Sequence, residues 1–169
     1  MTPQRFARAV ENRARKLDQL ICKTFIRRPV RLASTARMVS FTFDDFPQSA
    51  ADWGAEILER HDAHGTFYAC LGLLGKQSPG GILVDEPSLI KLAEAGHEIG
   101  CHTYTHLNIV KTTGRRLRDD LKANRERALS LNLTLTNFAY PYGQVGAANK
   151  GRVRNRFVSA RATRSGIVR

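Results

Sequence analysis

An α/β domain with a parallel sheet is the fold class this sequence predicts, on three observations. Short β-branched and aromatic runs alternate with segments of helical period. Glycine and proline punctuate the joins between them. Polar clusters follow the strand-like runs directly, at the strand ends where parallel α/β folds build their sites.

The elements follow in order. Residues 1–28 read as a polar helix, with Phe6, Val10, Leu17 and Leu20 roughly on one face and Arg and Lys elsewhere. Pro29 closes it and 30–37 form a linker. The expected organisation is therefore a basic helical extension over 1–37 and a domain over 38–169. The run 38–43, β-branched and aromatic and ending at two aspartates, reads as a core strand. Residues 49–61 read as a helix with Trp53, Ile57 and Leu58 on its buried side. After Gly65, residues 66–71 form a second strand, and the Gly- and Pro-containing stretch 72–84 is a loop.

Asp85-Glu86-Pro87 opens the next helix, with an acid at the N-cap and an early proline. It carries Leu89, Ile90, Leu92 and Ala93 and stops at Gly96. Residues 97–101 form a short third strand. Residues 113–131 form a long helix with Leu117, Leu121, Ala128 and Leu131 near one face, and 137–140 and 157–163 are further strands.

At 169 residues the chain suits one domain with a sizeable core. Its hydrophobic content of 42% argues against a wholly disordered chain. No apolar run approaches the roughly 18–20 residues of a membrane-spanning helix, so no transmembrane segment is expected. The net charge of +12 sits at the two ends. Residues 1–37 hold ten Lys and Arg against two acids, 150–169 hold seven and no acid, and the stretch between is −3. Basic ends of this kind suit a weak contact with an anionic surface. No aromatic-interleaved platform accompanies them, so a specific nucleic-acid partner is not expected. Cys22, Cys70 and Cys101 are odd in number and lack a CxxC spacing, which implies buried thiols rather than a disulfide framework. With no apolar signal-peptide core, a reduced, cytoplasmic location is the expectation.

Three clusters carry chemistry. Asp44-Asp45 ends the first strand. Adjacent strand residues point to opposite sides, so one carboxylate suits a metal while its neighbour faces a nucleophile. Acidic pairs also serve as ordinary loop or capping residues. His102-Thr103-Tyr104-Thr105-His106 follows the third strand, and an i,i+4 histidine pair on a helical turn is spaced to chelate one ion. Polar loop histidines show the same spacing. Phe138-Ala139-Tyr140-Pro141-Tyr142-Gly143 reads as a shaped loop able to aim a backbone N–H at a developing oxyanion, or as a plain turn. One Asp with two His leaves coordination positions open, as a hydrolytic centre needs. The same triad holds Fe(II) in oxygenases, and the extra Asp44 favours hydrolysis.

In order and spacing, Thr42 to Pro47, Glu98 to His106 and Phe138 to Gly143 resemble the motifs of the polysaccharide deacetylase family, the NodB-homology group or carbohydrate esterase family 4. The resemblance covers about 38–169. It implies a distorted (β/α) barrel and metal-dependent hydrolysis of the N-acetyl group of an amino-sugar glycan. Asp45, His102 and His106 would be ligands to a divalent ion, zinc foremost, and Asp44 the general base. Tyr142 would supply the oxyanion N–H, Pro141 and Tyr142 would meet substrate, and Thr103 and Thr105 would orient the histidines.

Three departures from the family pattern stand out. Phe46 stands where the family often has Gly. Ala139 stands where many members carry an Arg that pairs with the base. The family's later Asp–Trp segment and late histidine do not occur in these 169 residues, so the expectation is a barrel lacking its last strands. A non-catalytic remnant that binds sugar or metal is the alternative this leaves.

Overall fold

The computed structural model describes residues 3–24 and 39–163. The expected stop at Pro29, the linker over 30–37 and the side chain of Phe6 lie outside the described residues. The first helix, α1, spans Pro3–Thr24. Then come β1 (Phe41–Asp44), a π-helical turn (Ala50–Gly54) leading into α2 (Ala55–Glu59), and β2 (Gly65–Ala69). A small hairpin of β3 (Gln77–Ser78) and β4 (Gly81–Ile82) precedes α3 (Glu86–Glu94) and β5 (Glu98–Cys101). The described chain ends with α4 (Gly114–Ser130), β6 (Asn137–Ala139), α5 (Ala147–Arg154) and β7 (Ser159–Arg161).

Among the described residues β1, β2, β5, β6 and β7 form one sheet in that order, each neighbouring pair parallel. Sequence order and spatial order coincide because a helix fills each crossover. The hairpin within 72–84 and helix α5 are absent from the sequence expectation. The hairpin strands are two residues long, and α5 is mostly polar, so neither leaves a periodic apolar signal.

Strand alternation gives the sheet two unlike faces. Phe43, Phe67, Ile99, Cys101 and Phe138 share one face, packed beneath the helices in two apolar clusters. Phe43 and Phe67 stack with ring centroids 4.6 Å apart. The other face carries Thr42, Asp44, Thr66, Tyr68, Glu98, Asn137 and Arg161. Glu98 is its hub, accepting hydrogen bonds from Thr66 Oγ1 and Thr136 Oγ1 at 2.9 Å each and from Asn137 Nδ2. Gly100 leaves room there for the Tyr68 ring, which a Cβ would strike.

The polar face is concave. Arg161 ends β7, Asp44 ends β1, and the two side chains form an ion pair. A flat sheet would hold those strands roughly 19 Å apart, four inter-strand spacings, beyond the reach of the two side chains. The sheet therefore curls until its first and last strands face each other across the interior, as in part of a barrel.

Helix phases differ from expectation in one place. Trp53 is 67% exposed and Ile57 is exposed, where the pattern put both on the buried side. Leu58 is buried as expected, and because the π-turn shifts the helical phase Ala51 and Ala55 join it in facing the core. Leu89 and Leu92 of α3 and Leu117, Leu121 and Ala128 of α4 are buried as their spacing implies. Gly96 ends α3 at φ 88°.

Asp85 caps α3, its Oδ1 accepting from Ser88 N at 2.9 Å. Those Ser88 hydrogen bonds hold its carboxyl below the usual range. The folded pKa is lowered, so this stability is present above the unfolded value and fades as pH falls through the folded one. Asp85→Ala is expected to cost about 1 kcal/mol in urea denaturation at neutral pH, and Asp85→Asn to retain most of it.

Candidate active site

The site is built at the carboxyl ends of β1, β5, β6 and β7. Asp44 is the last residue of β1, and Asp45 turns away at φ 46°, a left-handed conformation an aspartate tolerates. Its N–H donates to Tyr68 O at 3.3 Å, which pins the turn to β2. Phe46 is buried with its ring edge-on to Phe67 at 5.1 Å, so the residue after the aspartates is an anchor in the core.

The histidine motif is a loop and not the helical turn its i,i+4 spacing suggests. Thr103 and His106 both take positive φ, 66° and 53°. A β-branched residue adopts that backbone only where its surroundings hold it there. Thr103 is fully buried, and its Oγ1 accepts from Leu107 N at 2.8 Å across the loop. Asp120 of α4 clamps the outside, accepting from Tyr104 N and Thr105 Oγ1 at 2.6 Å each. Thr103 and Thr105 thus brace the loop backbone rather than touch an imidazole. The left-handed turns bring the His102 and His106 rings to 5.0 Å.

His102 is buried. Burial pushes its pKa down, against the pull of the Asp44 carboxylate, with smaller effects from Ala139, His106 and Asp45. Its Nδ1 lies 2.9 Å from the Ala139 carbonyl. A carbonyl only accepts, so Nδ1 carries the proton and Nε2 keeps its lone pair. Cys70 holds the same residue from behind, its thiol donating to His102 O at 3.0 Å. All three cysteines are buried and free, and burial pushes the Cys70 and Cys101 thiols up, Cys101 to about 12, which leaves them structural.

The β6 end supplies the third loop. Tyr142 adopts φ 59° within a short turn over Pro141–Gly143. The N–H groups of Gly143 and Gln144 close that turn onto Tyr140 O and Pro141 O. Tyr142 N–H precedes both and has no part in this closure. Its exposed ring stands against His106 at 4.5 Å, while Pro141 is buried. Gly143 sits at φ 61°, where a Cβ would strike Thr163.

Arg161 escapes sequence reasoning. It is one of seven bases in the terminal stretch, and nothing local marks it. Besides pairing with Asp44, it lies over the Tyr68 ring at 5.2 Å. Among the described residues two buried side-chain polar atoms lack a hydrogen-bond partner, Asp45 Oδ1 and Arg161 Nε. Both lie in this site, one an acceptor and one a donor. Such atoms are rare in folded proteins and point to a bound group. A carboxylate oxygen and imidazole nitrogens are suitable donors for a divalent ion. As placed, no group of three His, Cys, Asp or Glu among the described residues is arranged to hold one.

Residues 32–156 match the family model for polysaccharide deacetylase. The chain belongs to the polysaccharide deacetylase family. Within it, the peptidoglycan-N-acetylglucosamine deacetylase PgdA of Listeria monocytogenes is 28% identical over 116 residues, 67% of this chain and 23% of that protein. IcaB from Ammonifex degensii superposes with a TM-score of 0.75 at 20% identity, covering 82% of this chain and 65% of that one. The chitin deacetylase of the fungus Colletotrichum lindemuthianum superposes with a TM-score of 0.60 at 19% identity, over 72% of this chain and 53% of that one. The chain thus spans under a quarter of the Listeria relative and about two thirds of IcaB. The fold is the partial, distorted (β/α) barrel expected of this family.

The Arg161–Asp44 pair is half-buried. A double-mutant cycle of Asp44→Asn with Arg161→Ala is expected to give a coupling of about 1 kcal/mol in denaturation. Additive single effects would mean the pair contributes nothing to closing the sheet.

Proposed function

We propose that this polysaccharide deacetylase hydrolyses the N-acetyl group of an amino-sugar glycan with Asp44 as general base. One observation carries the reading. A carboxylate held by Arg161 ends β1 and is followed by an unpartnered buried carboxylate oxygen, and two histidines with adjacent rings follow β5, with only β2 between the two strands. The names of the relatives, deacetylases of peptidoglycan N-acetylglucosamine and of chitin, support the substrate class.

Asp45, His102 and His106 would hold a divalent ion, zinc by the nature of the donors. When bound, the ion supplies a polarised acetamide carbonyl and a water of lowered pKa. Everything else falls to the chain. The His102 proton on Nδ1 is tied to Ala139 O, so Nε2 is the nitrogen available for ligation. Asp44 takes the proton of the attacking water and returns it to the amine nitrogen as the C–N bond breaks, and Arg161 fixes which way its carboxylate points. The N–H of Tyr142, left over by its turn, donates to the oxyanion that forms on the acetyl carbon. The exposed Tyr142 ring offers a flat apolar surface to a sugar face.

A non-catalytic, sugar-binding role is the second reading. It is favoured by the lack, among the described residues, of a three-residue cluster arranged for a metal.

The purified chain is expected to release acetate from an N-acetylglucosamine oligomer, to stop on chelation and to resume with zinc. Asp44→Asn should lower kcat by about 10²–10⁴-fold with little change in KM. An Asp44→Asn variant as active as the parent would remove Asp44 from the chemistry. Glycan binding without acetate release by the parent would select the second reading.

A further inference from the structure

Among the described residues, helix α1 carries an apolar stripe that the rest leave uncovered. Val10, Leu17 and Leu20 are 51%, 59% and 59% exposed. Residues 10 and 17 lie two turns apart on one line, with 20 a turn further along. The helix is attached to the body by a different stripe. Asp18 Oδ1 accepts from Ala147 N at 3.0 Å, capping α5, whose own N-cap residue Gly146 has no side chain to do so. One turn on, Cys22 is buried and its carbonyl accepts from Lys150 Nζ at 2.8 Å. Asp18 and Cys22 stand about 100° round the helix from Leu17 and Ile21 respectively. Docking therefore fixes α1 in place while turning its apolar stripe outward.

Basic residues stand within and beside that stripe. Arg13 lies three residues from Val10 and four from Leu17, Lys16 lies four from Leu20, and both are exposed. The helix holds six bases and two acids, and one of those acids, Asp18, is occupied in capping α5. No helix among the described residues is long and apolar enough to cross a membrane. A basic amphipathic helix of low overall hydrophobicity, held against α5 with its apolar stripe outward, has the features of one that lies in a bilayer interface.

We propose that α1 docks this protein on an anionic phospholipid bilayer. Val10, Leu17 and Leu20 enter the acyl boundary, while Arg13 and Lys16 lay their stems along it and set their charges among the lipid phosphates. Charge argues against the other occupants. Two copies meeting through α1 would bring two positively charged surfaces together. A nucleic-acid backbone would satisfy the bases and leave the leucines in water. The inference stands on α1 alone and is independent of the chemistry at the strand ends.

The test uses the full chain in co-sedimentation with vesicles of phosphatidylcholine containing about one-quarter phosphatidylglycerol, against phosphatidylcholine alone. The expected result is binding at least about tenfold tighter to the anionic vesicles, and a loss of at least about tenfold in the double variant Val10→Glu/Leu17→Glu. Both side chains are exposed, so its thermal melt should match the parent's. Arg13→Glu/Lys16→Glu provides a second variant on the same surface and should lose a similar factor. Equal binding to the two vesicle types would overturn the proposal. So would parent-like binding by the Val10→Glu/Leu17→Glu variant, which would reduce the contact to plain charge attraction. Self-association without vesicles that this variant abolishes would assign the stripe to a second copy instead, and would equally overturn it.

Discussion

The ion pair between Arg161 and Asp44 joins the first and last described strands of the sheet across its concave face. Five parallel strands need only be twisted to be stable, and twist alone leaves the two edges far apart. Curling them costs hydrogen-bond geometry and would expose polar side chains to one another without compensation. The pair offsets part of that cost, and the Glu98 hydrogen-bond hub offsets more from below. The same interaction that shapes the sheet also orients the Asp44 carboxylate, the proposed general base.

Parallel sheets are ordinarily apolar on both faces because helices cover both. Here only the outer face is apolar. The inner face is polar from Thr42 to Arg161, which is tolerated because its groups bond one another: Glu98 with Thr66, Thr136 and Asn137, and Asn137 Oδ1 with Ser159 N and Oγ. Among the described residues the exceptions are Asp45 Oδ1, in the turn after β1, and Arg161 Nε, at the end of β7.

The loop after β5 adds stored strain. Thr103 and His106 hold left-handed backbone, and the Asp120 clamp, the Thr103–Leu107 bond and the Cys70–His102 bond hold them there. Fully buried Asn124 serves the same end one layer down, linking Leu71 N to Cys101 Sγ. The Ala139 carbonyl orients His102, and the arginine that meets Asp44 comes from β7.

By itself the sequence determined the alternation of strand and helix, the Asp85 and Gly96 boundaries of α3, the buried face of α4 and the three clusters at strand ends. Each of these is local: a period, a cap or a short motif reports on residues within a few turns of itself. Tertiary structure alone decided the rest. Trp53 faces solvent because a π-turn reset the helical phase, and the histidine spacing became a strained loop because the distant Asp120 holds it. Arg161 became part of the site because a sheet curled far enough to bring its two edges into contact. No periodicity encodes that last event, since it depends on the sum of twist over all the strands rather than on any one of them.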